Sequence, residues 1–149
     1  MKKIFVRICA TMLALSTVVS IPMFAAAAPN STALSVSRSS EYIANSFIDV
    51  SREGNGQFAI TFSIRGTGKM SRIGAKSITI SEKVGSSWDE IVSYDQYDSG
   101  MSRTNSATYA NTLYFDGNIG TEYKFEVVVF AQDTSGSDTE SKTFILNAV

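Results

Sequence analysis

Residues 58–65 read Phe58-Ala59-Ile60-Thr61-Phe62-Ser63-Ile64-Arg65, eight positions alternating apolar with small or polar side chains. A period of two places Phe58, Ile60, Phe62 and Ile64 on one face and Thr61, Ser63 and Arg65 on the other, as in a half-buried β-strand. The aromatic and β-branched content favours the same state. Gly54-Asn55-Gly56 just upstream is a turn, so Tyr42–Ser51 is expected as the preceding strand of a hairpin. Downstream, Gly66-Thr67-Gly68 breaks the alternation. Ala75–Val84 resumes it, with Ile78, Ile80 and Val84 facing inward. Gly85-Ser86-Ser87 turns the chain, and Trp88–Tyr94 returns as a shorter strand. Asp95–Ser106 is polar and reads as a loop. Thr108–Phe115, Tyr123–Ala131 and Lys142–Leu146 follow as strands, separated by Asp116–Gly120 and the Ser/Gly-rich Asp133–Asp138. Seven strands with turn signals at short intervals, and no amphipathic helix of useful length, predict an all-β antiparallel sandwich or small barrel over residues 42–149.

The region before this pattern has a different grammar. Lys2, Lys3 and Arg7 precede an apolar run from Ile8 to Phe24, which ends in Ala25-Ala26-Ala27-Ala28. Charge, then apolar run, then small residues is the order of a secretory signal peptide, here assigned to residues 1–28. Residues 29–41 are rich in Ser and Thr and read as a flexible lead-in. The protein is therefore expected to be secreted and extracellular. The only cysteine, Cys9, falls in the signal, so the processed chain holds no disulfide and relies on packing. Of 13 basic and 14 acidic residues, the signal removes three basic ones, which leaves a net charge of −4. The remaining basic residues are scattered, which argues against nucleic acid as a partner. No later apolar stretch reaches membrane-spanning length, so no membrane anchor is expected.

Gly120-Thr121-Glu122-Tyr123 followed by alternating apolar residues through Ala131 resembles the sixth strand of a fibronectin type III domain. Ile78–Tyr94, with Gly85 and Trp88, resembles that family's third-to-fourth strand hairpin. The resemblance covers about residues 42–147. It implies a seven-strand antiparallel β-sandwich, fibronectin type III-like or immunoglobulin-like. It also implies a corner tyrosine, Tyr123, whose hydroxyl ties its strand to the preceding loop. The family's early tryptophan is replaced by Phe62, and its Leu-x-Pro ahead of the tyrosine is missing. The whole chain also resembles small exported proteins of Gram-positive bacteria. Fold likeness assigns no function.

The chain contains no histidine, which removes the commonest general base and the usual zinc ligand. Gly66-Thr67-Gly68-Lys69 lacks the glycine spacing and following helix of a phosphate loop. Asp95–Gly100 and Asp133–Asp138 carry hard oxygen ligands but do not match a spaced calcium loop. No metal and no cofactor are expected. Aromatic residues crowd the middle of the chain: Trp88, Tyr94, Tyr97, Tyr109 and Tyr114. Such side chains either fill a core or offer flat contact area with a polar handle. Val128 and Phe130 point away from the apolar face of their strand and suggest an outer apolar patch, either open to a partner or covered by the lead-in or an edge loop. The expected function is a non-catalytic binding or interaction module, not an enzyme, with an extracellular protein or cell-wall glycan as partner. Its contact residues are expected to be Tyr94, Tyr97 and Asp98, at the loop leaving the fourth strand. One alternative is a carbohydrate-binding module using Trp88 and the loop tyrosines. The other is a small hydrolase using two carboxylates from Asp89, Glu90, Asp95 and Asp98.

The signal assignment places the mature N-terminus between Ala26 and Asn30. N-terminal sequencing of protein recovered from culture medium checks this, and an intact Met1 on that material overturns it.

Overall fold

The computed structural model describes residues 40–149. The expected signal peptide, and the expected lead-in as far as residue 39, lie outside the described residues. Six strands account for most of what is described: β1 (Ile43–Gly54), β2 (Gln57–Val84), β3 (Ser87–Asp95), β4 (Ser102–Asp116), β5 (Glu122–Gln132) and β6 (Ser137–Asn147). All pairings are antiparallel. The sheet runs β1-β2-β5-β6, with β3 and β4 lying along the other side of β2.

Six strands replace the expected seven because residues 58–65 and 75–84 belong to one strand, β2. Gly66-Thr67-Gly68 does not end it. The register against β4 jumps there, from Arg65 opposite Thr108 to Met70 opposite Ser106. The extra residues form a bulge, which bends a strand without stopping it. Gly66 is needed at the bend, since a β-carbon would lie 2.8 Å from Met70 Cγ. The displaced backbone stays satisfied: the Thr67 N–H donates to the Tyr42 carbonyl at 3.0 Å.

The first half of β2 is flanked by β1 and β4. The second half is flanked by β5, and on its other side mainly by β3. Bending at the bulge curls the sheet around a single core. Phe58, from the first half, packs on Phe125 of β5 with ring centroids 4.9 Å apart. Phe115 of β4 meets Tyr123 of β5 edge-on at 5.2 Å. Ile60, Phe62, Ile64, Ile78, Ile80 and Val127 complete the centre, all essentially solvent-free. Tyr123 is buried with its hydroxyl partnered: its oxygen accepts a hydrogen bond from the Asn118 N–H at 2.9 Å.

Three local expectations need correction. Val84 is exposed rather than inward, because β2 runs past the start of β5, whose last pairing with it is Glu82 opposite Tyr123. The polar stretch after Asp95 is a loop only to Met101. β4 begins at Ser102, and Met101 is inserted fully into the core. Phe130 does face away from the main core cluster, yet it is 2 % exposed, and Val128 is half-buried. There is no open apolar patch at that position. Phe130 sits opposite Gly74 on β2, which has no side chain competing for the space.

The two ends of the β1-β2-β5-β6 path approach each other, and side chains rather than a strand ladder bridge them. Asp138 Oδ2 of β6 accepts from the Ser40 hydroxyl at 2.6 Å and from the Tyr42 N–H at 2.7 Å. The Ser40 hydroxyl oxygen in turn accepts from the Ile43 N–H at 2.8 Å. Further along, Ser46 hydrogen-bonds Glu140, and Lys142 Nζ donates to the Ile48 carbonyl at 3.3 Å. At the base, Asn55 and Gly56 both have positive φ, as a two-residue Asn-Gly hairpin requires. Gly56 packs so closely on the β4–β5 connection that a β-carbon would lie 2.2 Å from the Gly117 carbonyl oxygen. Its N–H donates to the Val149 carbonyl at 2.9 Å.

Phe62→Ala should cost about 3–5 kcal/mol of unfolding free energy, because a fully enclosed ring leaves a cavity. Tyr123→Phe should cost about 1 kcal/mol, since it orphans the Asn118 N–H. Denaturant unfolding checks both, and a wild-type midpoint for Phe62→Ala overturns the core assignment.

Hydrogen bonds from the Ser40 hydroxyl, and then from the Tyr42 N–H, hold the Asp138 carboxyl below the usual carboxylate range. The folded-state pKa is thus lower than the unfolded one, about 3.9 for aspartate. The resulting stabilisation is fully present above the unfolded value and disappears as pH falls through the folded value. Unfolding of wild type and Asp138→Asn should therefore differ by a constant amount near neutrality and converge in acid. A gap unchanged down to about pH 2 contradicts this role.

Candidate functional site

The three residues singled out in the sequence lie at the β3–β4 connection, and the structure gives them different jobs. Tyr94 is the penultimate residue of β3, opposite Ile78 of β2, and it packs half-buried against the core. Part of its surface stays in solvent beside the turn. Tyr97 is 72 % exposed at the crest of the turn. Asp98 is exposed too, but its carboxylate works within the turn, accepting the Asp95 N–H at 2.9 Å. Asp95 reciprocates, its Oδ1 accepting the Tyr97 N–H at 2.7 Å. Aspartates that bond nearby backbone N–H groups in this way fix tight turns. The Asp98 N–H donates to the Asp95 carbonyl at 3.1 Å, and the Met101 N–H to the Asp98 carbonyl at 3.2 Å.

The turn is also tied down from outside. The Ala75 N–H donates to the Met101 carbonyl at 2.7 Å, next to the buried Met101 side chain. Tyr109 Oη and Asn111 Nδ2, both from β4, converge on the Gly100 carbonyl at 2.9 and 2.8 Å. Gly100 has φ +81°, and a β-carbon there would lie 2.7 Å from Asn111 Nδ2. Tyr97 is therefore an exposed ring on an ordered support rather than on a loose loop.

Arg72 completes the site and was not legible as part of it. It comes from the bent middle of β2. Its guanidinium carbon stands 4.8 Å from the Tyr97 ring centroid. Nη1 donates to the Ser102 hydroxyl at 2.9 Å and to the Gln96 carbonyl at 3.4 Å. The Ser102 hydroxyl donates to that same carbonyl at 2.5 Å. A guanidinium set over an aromatic ring is a cation–π pair. Here it backs the ring and places donors beside it, with Asp95 and Asp98 close by in the turn. Nothing in the local pattern around Arg72 signals this, because the pairing depends on where the β2 bulge directs the strand.

The remaining candidates do not join this cluster. Trp88 lies at the opposite end of β3, about 20 Å away along the strand at the usual rise per residue. Its ring is flanked by Lys83 Nζ at 4.6 Å and Lys124 Nζ at 5.7 Å. Those lysines pair with Glu122 at 3.5 Å and Glu126 at 2.9 Å. Trp88 and Tyr97 thus form no common platform. Asp89 and Glu90 sit with Trp88, remote from Asp95 and Asp98, whereas paired catalytic carboxylates stand about 5–10 Å apart. Tyr109 is half-buried against the core, and Tyr114 is exposed on β4. Among the described residues, no three acidic side chains gather in a metal-binding group.

No protein-family model matches the chain, and no curated protein matches it. Among solved structures it is similar to the solution structure of a protein described as late embryogenesis abundant (LEA). That match has 11% sequence identity and a TM-score of 0.36, and covers 70% of this chain and 72% of the other. A likeness at that score carries no conclusion about this chain.

Proposed function

We propose that the described domain is a non-catalytic binding module of an exported protein. It holds an extracellular protein or a cell-wall glycan through Tyr97, with Arg72 and the Asp95–Asp98 turn beside it. We read the curled sheet as a sandwich of the fibronectin type III or immunoglobulin kind. The packing of Phe58 and Phe115 on Tyr123 and Phe125 supports that assignment, as does the Tyr123–Asn118 bond. The observation that carries the functional reading is the Tyr97 ring, 72 % exposed on a turn whose backbone is hydrogen-bonded from both strands and from Arg72. Ordering a large ring before a ligand arrives lowers the entropy lost on binding. Covering the ring supplies affinity, and the guanidinium and carboxylates beside it orient polar groups of the ligand. The absence of histidine favours binding over catalysis, as does the engagement of the Asp95 and Asp98 carboxylates by backbone N–H groups of their own turn.

Purified protein should retain a partner from isolated cell-wall material or from culture proteins, and Tyr97→Ala should abolish most of that retention. Its unfolding free energy should stay within about 0.5 kcal/mol of wild type, as for an exposed position outside the core. Retention unaffected by Tyr97→Ala refutes the site. A marked loss of stability shows that the ring serves the fold instead.

A further inference from the structure

Each free edge of this sheet except one carries a guard. β1 and β6 face each other and are bridged by Asp138, Glu140 and Lys142. β3 bears Asp89, Glu90 and Asp95, and the register of its pairing shifts opposite Ser81. β4 breaks register only before Thr108, where Asn105 has φ 57°, and from Thr108 to Phe115 it has no such device. Among the described residues it pairs only with β2. From Thr104 to Phe115 it contains neither a charged residue nor a proline. Opposite the first half of β2 its register is unbroken from Thr108 to Asp116. A regular, uncharged edge such as Thr108–Phe115 presents unpaired backbone groups as a template for another strand.

We infer that β4 is a self-association edge, on which a second copy of this chain pairs antiparallel about a two-fold axis at Thr112. The occupant follows from the residues themselves. A two-fold axis normal to the sheet sets like faces side by side and opposes residues equally distant from Thr112. On the core side, Tyr109 then meets Phe115 of the second copy. On the outer side, Ala110 meets Tyr114, a small residue beside a large one. Thr112 meets Thr112, and Asn111 meets Leu113. The one charge in the segment, Asp116, meets Thr108, so no like charges confront each other. Aromatic pairs, threonine pairs and small–large pairs are the favourable cross-strand combinations. Tyr114, exposed on the single chain, is covered in the pair. An unrelated extended peptide would gain the backbone bonds but not these side-chain matches. Such a contact is isologous and closed, giving a dimer rather than a fibre. It is independent of the Tyr97 reading.

Sedimentation velocity on the purified protein should show a dimer that dissociates on dilution. Thr112→Lys and Thr112→Glu each place two like charges on the axis. Each should weaken association about a hundred-fold. An equimolar mixture of the two variants should recover the dimer. Thr112 Oγ1 lies 3.0 Å from Thr61 Oγ1 on the same face, so circular dichroism accompanies each variant to confirm folding. Hydrogen exchange on the wild-type protein gives a second reading: amide protection within residues 108–116 should rise with protein concentration. A wild-type protein that stays monomeric overturns the inference. So does a dimer that persists in both variants, or protection of this segment that does not vary with concentration.

Discussion

One strand holds this domain together, and its continuity through the bend at Gly66–Met70 is the constraint on which the other contacts depend. β2 pairs with β1, β3, β4 and β5, and only β6 reaches the sheet through another strand. If β2 were two strands joined by a loop, the two halves could pack at many angles. Because it is one strand with a bulge, the hydrogen-bond register of each half constrains the other. The sheet then curls in a defined way, bringing the ring of Phe58 onto Phe125. Gly66 and Met70 make the bend compact: the missing β-carbon leaves room for the methionine to fold back and enter the core.

A curled sheet still has to be held shut, and different chemistry does this on different sides. Inside, apolar burial supplies the main drive, unaided by any disulfide among the described residues. At the seam between β1 and β6, the bonds are charge-assisted and directional. The Asp138 carboxylate takes two donors and fixes where the chain enters β1. At the base, Gly56 lies directly against the Gly117 carbonyl, and Gly117 leaves room for the Tyr123 ring. At the Tyr97 turn, Asp95 and Asp98 each take a backbone N–H on one carboxylate oxygen, and the ring stays exposed.

The strands were legible wherever alternation was strict. Phe58, Ile60, Phe62 and Ile64 are buried as their spacing requires, and so are Tyr123, Phe125, Val127, Val129 and Ala131. What could not be read was the meaning of glycine and of polar stretches. Gly66-Thr67-Gly68 has the composition of a break, yet glycine in a strand also marks a bulge, and only long-range pairing decides between the two. The polar run through Ser102–Ser106 is a strand because β2 continues far enough to pair with it, not because its residues favour one. At the candidate site, the exposed ring of Tyr97 lay within the residues named from sequence. Tyr94 divides its surface between the core and solvent, and Arg72 was invisible because its role comes from a register set elsewhere.

The Asp138 clasp also bears on the order of folding. Ser40 and Asp138 are 98 positions apart, and Ser46 and Glu140 are 94 apart. Contacts of such long range form late, since the chain must lose the entropy of a very large loop before they return anything. The β1–β2 and β2–β3 hairpins need only neighbouring stretches of chain, whereas the seam needs β6 in place on β5. Until the seam closes, the outer edges of β1 and β6 are open to pairing with another chain. The carboxylate that secures the finished fold thus also shields its two bare edges.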